Sequence, residues 1–373
     1  MFLGIDVSTH LEQLKLAHTV YKKDGKEIDP FEIMRNNGVE YLRVRIWNNP
    51  YSEDGKPYLA GTCDLDNYLA LYDKLKKYGF KQVVDFHYSD FWVDPSKQFL
   101  PKAWKDYSFE EVKQAVYDFT KESLLKIKKH GIELEYIQTG NEITHGMLWP
   151  HGKILYGTEN PYGNFATLLK SARKACKEVY PNAKIIIHLE ESFNQPLYRE
   201  IISSLLKNGL EIDMIGTSYY PFWHHSFAEY FANMDMVQRE FNIPVCNVEL
   251  GYPFTLEDYI VDEDTGKPKH LVINADNQEE FIKMLPYEVS PEGQAKFINK
   301  FIELAKEHNL QGAFYWEPLW IPGDNICWAS AEGQIYQNEE VVKDARNEWA
   351  NQCLFDYQGN MLPGLMAFKM EKE

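Results

Sequence analysis

The chain has 373 residues, of which 44% are hydrophobic and 25% are charged, a composition typical of a folded protein with a sizeable apolar core. Lysine and arginine number 39 against 56 aspartates and glutamates, so the formal net charge is −17. That charge repels phosphate backbones, so nucleic acid is not an expected partner. No apolar run approaches the ~20 residues of a membrane span. A neutral polymer such as a plain glycan is compatible with these properties.

Eight short apolar segments alternate with segments of helical periodicity. The predicted strands are residues 2–6, 41–47, 82–86, 134–138, 184–188, 214–217, 245–249 and 312–316. The clearest predicted helices are residues 66–78, 109–130, 164–179, 196–207, 227–241 and 291–308. Alternating strands and helices imply a parallel sheet, and eight repeats imply a closed (β/α)8 TIM barrel with enlarged βα loops.

No linker, repeat or low-complexity segment divides the sequence, so we predict one barrel domain over residues 1–373. The alternative is an open, doubly wound sheet. That fold places a glycine-rich phosphate-binding turn after its first strand, and the segment GIDVST (4–9) contains a single glycine. The barrel is therefore favoured.

The five cysteines are scattered and show neither a CxxC motif nor a metal-type spacing. An odd number cannot pair completely, so we predict buried free thiols. They are Cys63, Cys176, Cys246, Cys327 and Cys353. The first residues read as a strand and not as a signal peptide. Two locations stay open: the cytoplasm, or the cell surface and extracellular space if a leader has been removed.

Eight of the nine tryptophans fall at or after predicted strand ends, where the functional loops of a barrel lie. They are Trp47, Trp92, Trp104, Trp149, Trp223, Trp316, Trp320 and Trp328, and only Trp349 lies elsewhere. Because tryptophan is costly to expose, this clustering indicates aromatic platforms around a cleft. Sugar rings present apolar C–H faces that stack on such platforms. The alternative is that several tryptophans close the barrel top as core.

Glu142 follows the fourth predicted strand, and Glu249 ends the seventh. In a barrel, the carboxyl ends of all strands open onto one face. Two carboxylates about 5–5.5 Å apart on that face are what a retaining glycosidase needs, one as proton donor and one as nucleophile. As the donor, Glu142 needs a pKa raised by burial, whereas Glu249 must stay ionised. The alternative for Glu142 is a structural carboxylate that accepts loop amides.

Polar residues near these glutamates are candidates for holding substrate or nucleophile. Asn141 precedes the proton donor and can bind a sugar hydroxyl. Arg45, together with Tyr219 or Tyr220, is a candidate hydrogen-bond donor to the nucleophile. Arg43 shares a strand face with Arg45, because side chains alternate with a period of two. We predict that Arg45 reaches the site and that Arg43 fills a lower layer of ion pairs.

The segment DFHYSDFWVDP (85–95) is the densest polar cluster, with Asp85, His87, Asp90 and Asp94. Those residue types invite a metal-site interpretation, but the chain has no HxH partner for His87 and no HExxH motif. We therefore interpret His87 as a hydrogen-bond donor to a sugar or to a carboxylate.

Other acidic residues compete for the catalytic role. Glu317 lies in GAFYWEPLW (312–320), where the following proline indicates a loop-shaping role and Trp316 is placed to form the floor under the reacting sugar. His188, Glu190 and Glu191 end the fifth strand and offer rival carboxylates. The alternative for that group is a solvated loop.

The acidic stretch 258–277 reads as one long loop after the seventh strand. Oxygen ligands for Ca²⁺ are available there from Asp262, Glu263, Asp264 and Asp276. The stretch lacks an EF-hand pattern, so a solvated loop is favoured. A structural Ca²⁺ stays an alternative, and no metal ligand is assigned.

Six segments resemble, in the same order, those of the endo-β-1,4-galactanases of glycoside hydrolase family 53. They are DFHYSDFWVDP, TGNEITHGMLWPHGK, SYYPFWHH, VELGYP, GAFYWEPLW and NQCLFDYQGN. The match runs from about residue 4 to about residue 365, which is nearly the whole chain. The first two segments are specific to the family, whereas the Asn-Glu pair alone belongs to a wider clan of barrel glycosidases.

The resemblance implies that Glu142 is the general acid/base and Glu249 the nucleophile. It implies hydrolysis, with retention, of β-1,4-galactan, the neutral side chain of type I arabinogalactan and pectin. It supports subsite roles for Arg45, His87, Asn141, Tyr220 and Trp316. One departure is that Leu250 and Gly251 follow the nucleophile where family members often have threonine and alanine or serine. Some bacterial members hold calcium in the seventh loop, but a matching ligand set is not clear here.

The predicted substrate-binding residues are Arg45, Trp47, His87, Asp90, Trp92, Asn141, Trp149, Tyr219, Tyr220, Trp316 and Trp320. The expected partner is the polysaccharide, the expected quaternary state is a monomer, and no cofactor is expected to be required. Two alternatives stay open. One keeps the mechanism but acts on mannan, xylan or glucan, and the other is a glycan-binding barrel without catalysis.

Overall fold

Eight parallel strands pair edge to edge and close into a barrel in the computed structural model, which describes residues 1–260, 271–273, 278–342 and 345–368. The barrel strands are β1 Phe2–Asp6, β2 Val39–Ile46, β3 Lys81–Phe86, β4 Leu134–Thr139, β5 Lys184–Leu189, β6 Met214–Tyr219, β7 Val245–Leu250 and β8 Gly312–Tyr315. Strand β1 pairs with both β2 and β8, which closes the ring. The predicted (β/α)8 barrel is confirmed.

Helices alternate with the strands along the chain, and the last of them follows the final strand. They are α1 His10–Leu16, α2 Pro30–Asn36, α3 Leu65–Leu75, α4 Phe109–Lys129, α5 Gly163–Val179, α6 Gln195–Lys207, α7 Pro221–His224, α8 Phe227–Phe241, α9 Gln278–Met284, α10 Pro291–Glu307 and α11 Ala331–Tyr336. Several of these helices have a side-chain N-cap. At the start of α3, for example, the Asp64 carboxylate accepts a hydrogen bond from the backbone N–H of Asn67. Residues 76–78, predicted as α-helix, form a 3₁₀ turn that Gly79 ends with φ 70°.

The lower part of the barrel interior is apolar. It is filled by Tyr41, Val83, Ile186, Met214, Cys246, Val248 and Phe314. Gly4 leaves room for this cluster, because a Cβ at that position would lie 2.2 Å from the ring of Phe314. Two residues further along β2 and β3, Arg43 and Asp85 are buried in contact with each other. The apolar floor therefore gives way to a charged layer towards the carboxyl ends of the strands.

The pairing of β6 with β7 is irregular at one point. Asn247 pairs with Thr217, but Glu249 pairs with Ser218, so one extra residue lies on β7. That residue, Val248, packs into the apolar interior. Strict alternation would then turn Glu249 away from the interior. The extra residue instead directs Glu249 inward, as β-bulges beside active sites often do.

The cysteine prediction is confirmed, because all five cysteines are buried and unpaired. Among the residues described, no helix combines the length and the apolar character needed to cross a membrane. The candidate calcium ligands Asp262, Glu263, Asp264 and Asp276 lie outside the described residues.

Candidate active site

The carboxyl ends of the strands surround a cavity of about 300 Å³ that both predicted catalytic glutamates line. Seven predicted substrate-binding residues line it as well: Arg45, His87, Trp92, Asn141, Tyr220, Trp316 and Trp320. The fold therefore brings to one cavity two glutamates from strands that are not neighbours, since β5 and β6 lie between β4 and β7.

Glu249, on β7, is held by two hydrogen-bond donors. The Arg43 guanidinium lies 3.1 Å from Oε1, and the Tyr220 hydroxyl donates to Oε2 at 2.8 Å. Burial raises the pKa of Glu249 to about 7, and the charge of Arg43 and the hydrogen bond from Tyr220 act in the opposite direction. Both donors favour the ionised carboxylate, which is the form that a nucleophile needs.

Arg43 is the centre of a buried charge cluster. Its guanidinium contacts Asp6 at 2.8 Å and Asp85 at 2.7 Å in addition to Glu249, and only 1% of the side chain is exposed. It also lies 3.2 Å from the side-chain oxygen of Asn141. The predicted ion-pair layer exists, but it reaches the nucleophile. Arg43, and not the predicted Arg45, is the donor to Glu249, because the irregularity in β7 directs the carboxylate towards this layer.

Glu142, after β4, has a different environment. Its Oε1 accepts the hydroxyl of Ser218 at 2.7 Å. Burial raises the pKa of Glu142 well above the usual range, and the negative charges of Glu249 and Glu190 raise it further. The residue has a φ of 48°, a left-handed conformation that is uncommon for glutamate and often found at functional sites. These surroundings favour the protonated form, as a general acid requires.

A neutral histidine on β5 connects the carboxyl ends of β4 and β6. His188 on β5 lies 2.9 Å from the Ser218 hydroxyl through Nε2 and 3.1 Å from the Asn141 side-chain oxygen through Nδ1. Burial lowers the pKa of His188 well below its usual value, and the charge of Arg43 lowers it further. His188 therefore positions Ser218 and Asn141. It was predicted only as part of a rival acidic group.

His87 donates to a carboxylate, one of the two roles predicted for it. Its Nδ1 accepts the indole N–H of Trp47 at 3.2 Å, which leaves the proton on Nε2 for Asp85 at 3.0 Å. Burial lowers the pKa of His87, and the Asp85 charge opposes that effect. Both ring nitrogens are thus engaged within the protein.

Arg45 binds the third candidate carboxylate. It pairs with Glu317 at 2.7 Å, and the Thr9 hydroxyl donates to the other oxygen of Glu317 at 2.7 Å. The guanidinium of Arg45 also lies 4.3 Å from the ring centroid of Trp92. Glu317 is fully buried in these contacts, so its role is structural, in agreement with the loop-shaping role predicted for it.

An aromatic wall forms one side of the cavity. Trp316 meets Trp349 edge to face at 4.8 Å, and Trp92 lies 6.1 Å from Trp316. The Trp92 indole donates to the backbone oxygen of Trp328 at 2.9 Å. Trp349 was the one tryptophan set apart in the sequence, because it follows no strand. The only available signal was its position two residues before the NQCLFDYQGN segment.

Four predicted substrate-binding residues do not line the cavity: Trp47, Asp90, Trp149 and Tyr219. Trp47 and Asp90 are buried and shape the surrounding loops, Asp90 through Lys102 at 2.8 Å. Tyr219 packs against Phe301 outside the barrel, because it neighbours Tyr220 and points the opposite way. The Trp149 ring lies under the Lys153 ammonium, 4.2 Å away.

Several lining residues were not predicted as substrate-binding: Arg43, Val93, Asp94, Lys97, Trp223, Val272, Trp328, Gln337, Glu348 and Trp349. Outside the cavity, His145, Glu190 and Glu191 place their ligand atoms within 4.8 Å of one another. That no metal is bound at the site stays a prediction.

Comparison with known proteins shows similarity along nearly the whole chain. The model of glycosyl hydrolase family 53 matches residues 2–368. An endo-beta-1,4-galactanase of Bacillus subtilis (strain 168) is 32% identical, over 98% of this chain and 85% of its own. An arabinogalactan endo-beta-1,4-galactanase of Cellvibrio japonicus (strain Ueda107) is 27% identical, over 99% and 91%. The solved GH53 catalytic domain of Ignisphaera aggregans is 34% identical, with a TM-score of 0.87 and coverage of 99% and 95%.

Proposed function

Because the chain belongs to glycosyl hydrolase family 53 and is a glycoside hydrolase, we propose that it cleaves internal β-1,4-galactosidic bonds of galactan with retention of anomeric configuration. The observation that carries the proposal is the contrast between two glutamates on one cavity. Glu249 is held by an arginine and a tyrosine, whereas Glu142 has a hydroxyl and nearby carboxylates. The similarity to an endo-beta-1,4-galactanase and to an arabinogalactan endo-beta-1,4-galactanase supports galactan as the substrate.

Two steps follow from this arrangement. In the first, the Glu249 carboxylate attacks the anomeric carbon while Glu142 gives its proton to the glycosidic oxygen, and the leaving sugar departs with that proton. In the second, the ionised Glu142 takes a proton from water, whose oxygen attacks the anomeric carbon and releases Glu249. Arg43 and Tyr220 keep the nucleophile ionised and aimed, while Ser218 orients the acid.

The cavity wall suits an uncharged sugar chain. Trp316, Trp349 and Trp92 offer ring faces and edges for apolar C–H surfaces. The chain supplies the nucleophile and both proton transfers from its own side chains, so we propose that the reaction requires no cofactor. Activity that persists after dialysis against EDTA is the expected result.

Incubation with linear β-1,4-galactan, mannan, xylan and β-glucan tests the substrate. We expect shorter galacto-oligosaccharides from galactan and little product from the others. Proton NMR during the first minutes reports the anomer released, and retention predicts that the β anomer appears first. Release of the α anomer first would overturn the mechanism, and absence of galacto-oligosaccharides would overturn the substrate. Glu142→Gln and Glu249→Gln serve as inactive controls.

A further inference from the structure

The catalytic strands divide the barrel mouth into two unequal arcs. One arc runs from β8 through β1 and β2 to β3, and the other contains only β5 and β6. The larger arc supplies most of the enclosed cavity, including Arg45, Trp92 and Trp316. An endo-acting hydrolase must hold sugar residues on both sides of the bond it cleaves. The smaller arc, beside Glu142, is thus the place to look for the second side.

The smaller arc carries an aromatic pair at its rim. The rings of Phe193 and His225 stack in parallel, with centroids 4.0 Å apart and planes 7° apart. His225 leaves 48% of its side chain exposed. Its backbone adopts φ 61° and ψ −151°, a strained region populated almost only by glycine. The Tyr219 hydroxyl donates to its carbonyl at 3.0 Å, and Glu229 faces its ring, so the surroundings hold the strained residue in place.

An ion pair involves the loop that carries Phe193, because Glu191 precedes Phe193 by two residues. His145 Nε2 lies 3.4 Å from the Glu191 carboxylate, and Asn194 donates to the other oxygen of Glu191 at 2.9 Å. The side chains of His145 and Glu191 are 40% and 30% exposed. An aromatic face, together with held and partly exposed hydrogen-bonding groups on the same loops, is the composition that suits a sugar ring, whose C–H face stacks while its hydroxyls form hydrogen bonds.

A short series of contacts connects the rim to the general acid. The Ser192 hydroxyl donates to the Ser218 carbonyl at 2.8 Å, and the Ser218 hydroxyl donates to Glu142 at 2.7 Å. Phe193 follows Ser192 directly, and His145 lies three residues after Glu142. Phe193 and His145 therefore lie on the loops that position the proton donor. These loops belong to the smaller arc, across the mouth from the aromatic wall.

We propose that the Phe193–His225 stack, with His145 and Glu191 at its edge, binds the neutral sugar residue that departs with the proton from Glu142. This rests on the proposed function. In a retaining displacement the leaving sugar lies opposite the nucleophile and on the side of the general acid. The leaving sugar of a galactan is a pyranose. Its C–H face stacks on the exposed part of the Phe193–His225 pair, and its hydroxyls form hydrogen bonds with Glu191 and His145.

The test separates substrates by their leaving groups. In galactotetraose the leaving group is a sugar, whereas in 4-nitrophenyl β-1,4-galactobioside it is nitrophenolate, which needs no leaving-sugar site. We expect Phe193→Ala to lower kcat/KM on galactotetraose about tenfold, as loss of one aromatic stacking contact does. The aryl galactobioside should be cleaved at the wild-type rate within about twofold. Tyr107→Ala, which removes another partly exposed ring, is the matched control and should change neither rate.

Two further variants test the same site if Phe193→Ala does not fold. Glu191→Gln and His145→Gln keep the side-chain size, remove the ion pair, and should reproduce the selective loss on galactotetraose. Equal losses on both substrates, or no loss beyond the Tyr107→Ala control, would overturn the proposal. Zn²⁺ and EDTA are also added to the wild-type protein. A change in its kcat/KM on galactotetraose, with none on the aryl galactobioside, would overturn the proposal, because His145, Glu190 and Glu191 would then be holding a cation.

The outcome is distinguishable from failure of the proposed function. If the wild-type protein cleaves neither galactotetraose nor the aryl galactobioside, the proposed function fails. If it cleaves both and Phe193→Ala affects them alike, only the leaving-sugar site fails.

Discussion

Glu142 and Glu249 are the same residue type near the carboxyl ends of two parallel strands, one just beyond β4 and the other on β7, yet their surroundings differ. Glu249 has a guanidinium at 3.1 Å and a phenol at 2.8 Å. Glu142 has a serine hydroxyl and the charges of three other carboxylates, those of Glu249, Glu190 and Asp94. Burial raises the pKa of each, but among the residues that the structure describes only Glu249 has a cation in contact to offset it. The neighbours, and not the residue type, favour the roles of acid and nucleophile proposed for the two residues.

The most direct way to break the comparison is to neutralise each glutamate in turn. Glu142→Gln should lower kcat on galactan about 10²–10⁴-fold, because it removes proton donation. The loss should be much smaller on 4-nitrophenyl β-1,4-galactobioside, whose leaving group needs no proton. Glu249→Gln should abolish turnover of both substrates. If both variants respond identically to the leaving group, the assignment of roles is wrong.

Removing the cation sharpens the comparison next. Arg43→Met leaves Asp6, Asp85 and Glu249 without their shared cation, so we expect a loss of about 3–5 kcal/mol in the free energy of unfolding. Arg45→Met is the matched control, since it also removes a buried arginine but leaves Glu249 untouched.

Urea unfolding and kcat measured on both arginine variants give the readout. Both should be destabilised, but kcat should fall far more in Arg43→Met. A kcat that falls equally in the two would indicate that Arg43 acts only through folding.

A smaller effect is expected from Tyr220→Phe. The hydroxyl of Tyr220 stabilises the ionised form of Glu249, so its removal raises the pKa of that carboxyl group. The proposed mechanism needs this carboxylate ionised. Burial raises its pKa to about 7, although Arg43 and Tyr220 act to lower it. Activity is therefore lost as pH falls through that range, and the variant should lose it at higher pH. A pH profile of kcat/KM with an unmoved acidic limb would contradict this.

The smallest effect is expected from Ser218→Ala. The Ser218 hydroxyl lowers the pKa of Glu142 against the larger effects that raise it. Its removal should raise the pKa of the acid further and move the alkaline limb of the same profile up by less than about one unit. The acidic limb should stay in place, because it reports Glu249. Movement of the acidic limb alone would reverse the comparison.

Much of this site was predictable from local pattern. Alternating strands and helices predicted the barrel, and the position of each glutamate just after a strand predicted that the two would meet at one face. It was harder to predict which of two nearby residues of the same type reaches the site. Arg45 was preferred over Arg43, and Tyr219 was included beside Tyr220, although the structure brings Arg43 and Tyr220 to Glu249.

By itself, the sequence determined the fold class, the identity of the two carboxylates and the side of the barrel on which they lie, because strand alternation and strand ends are local properties of the chain. Only the tertiary structure decided which neighbours reach them. One extra residue in β7 turned Glu249 towards Arg43, and the C-terminal segment placed Trp349 against Trp316. Both outcomes depend on pairing register and on contacts between distant segments, which no local periodicity encodes.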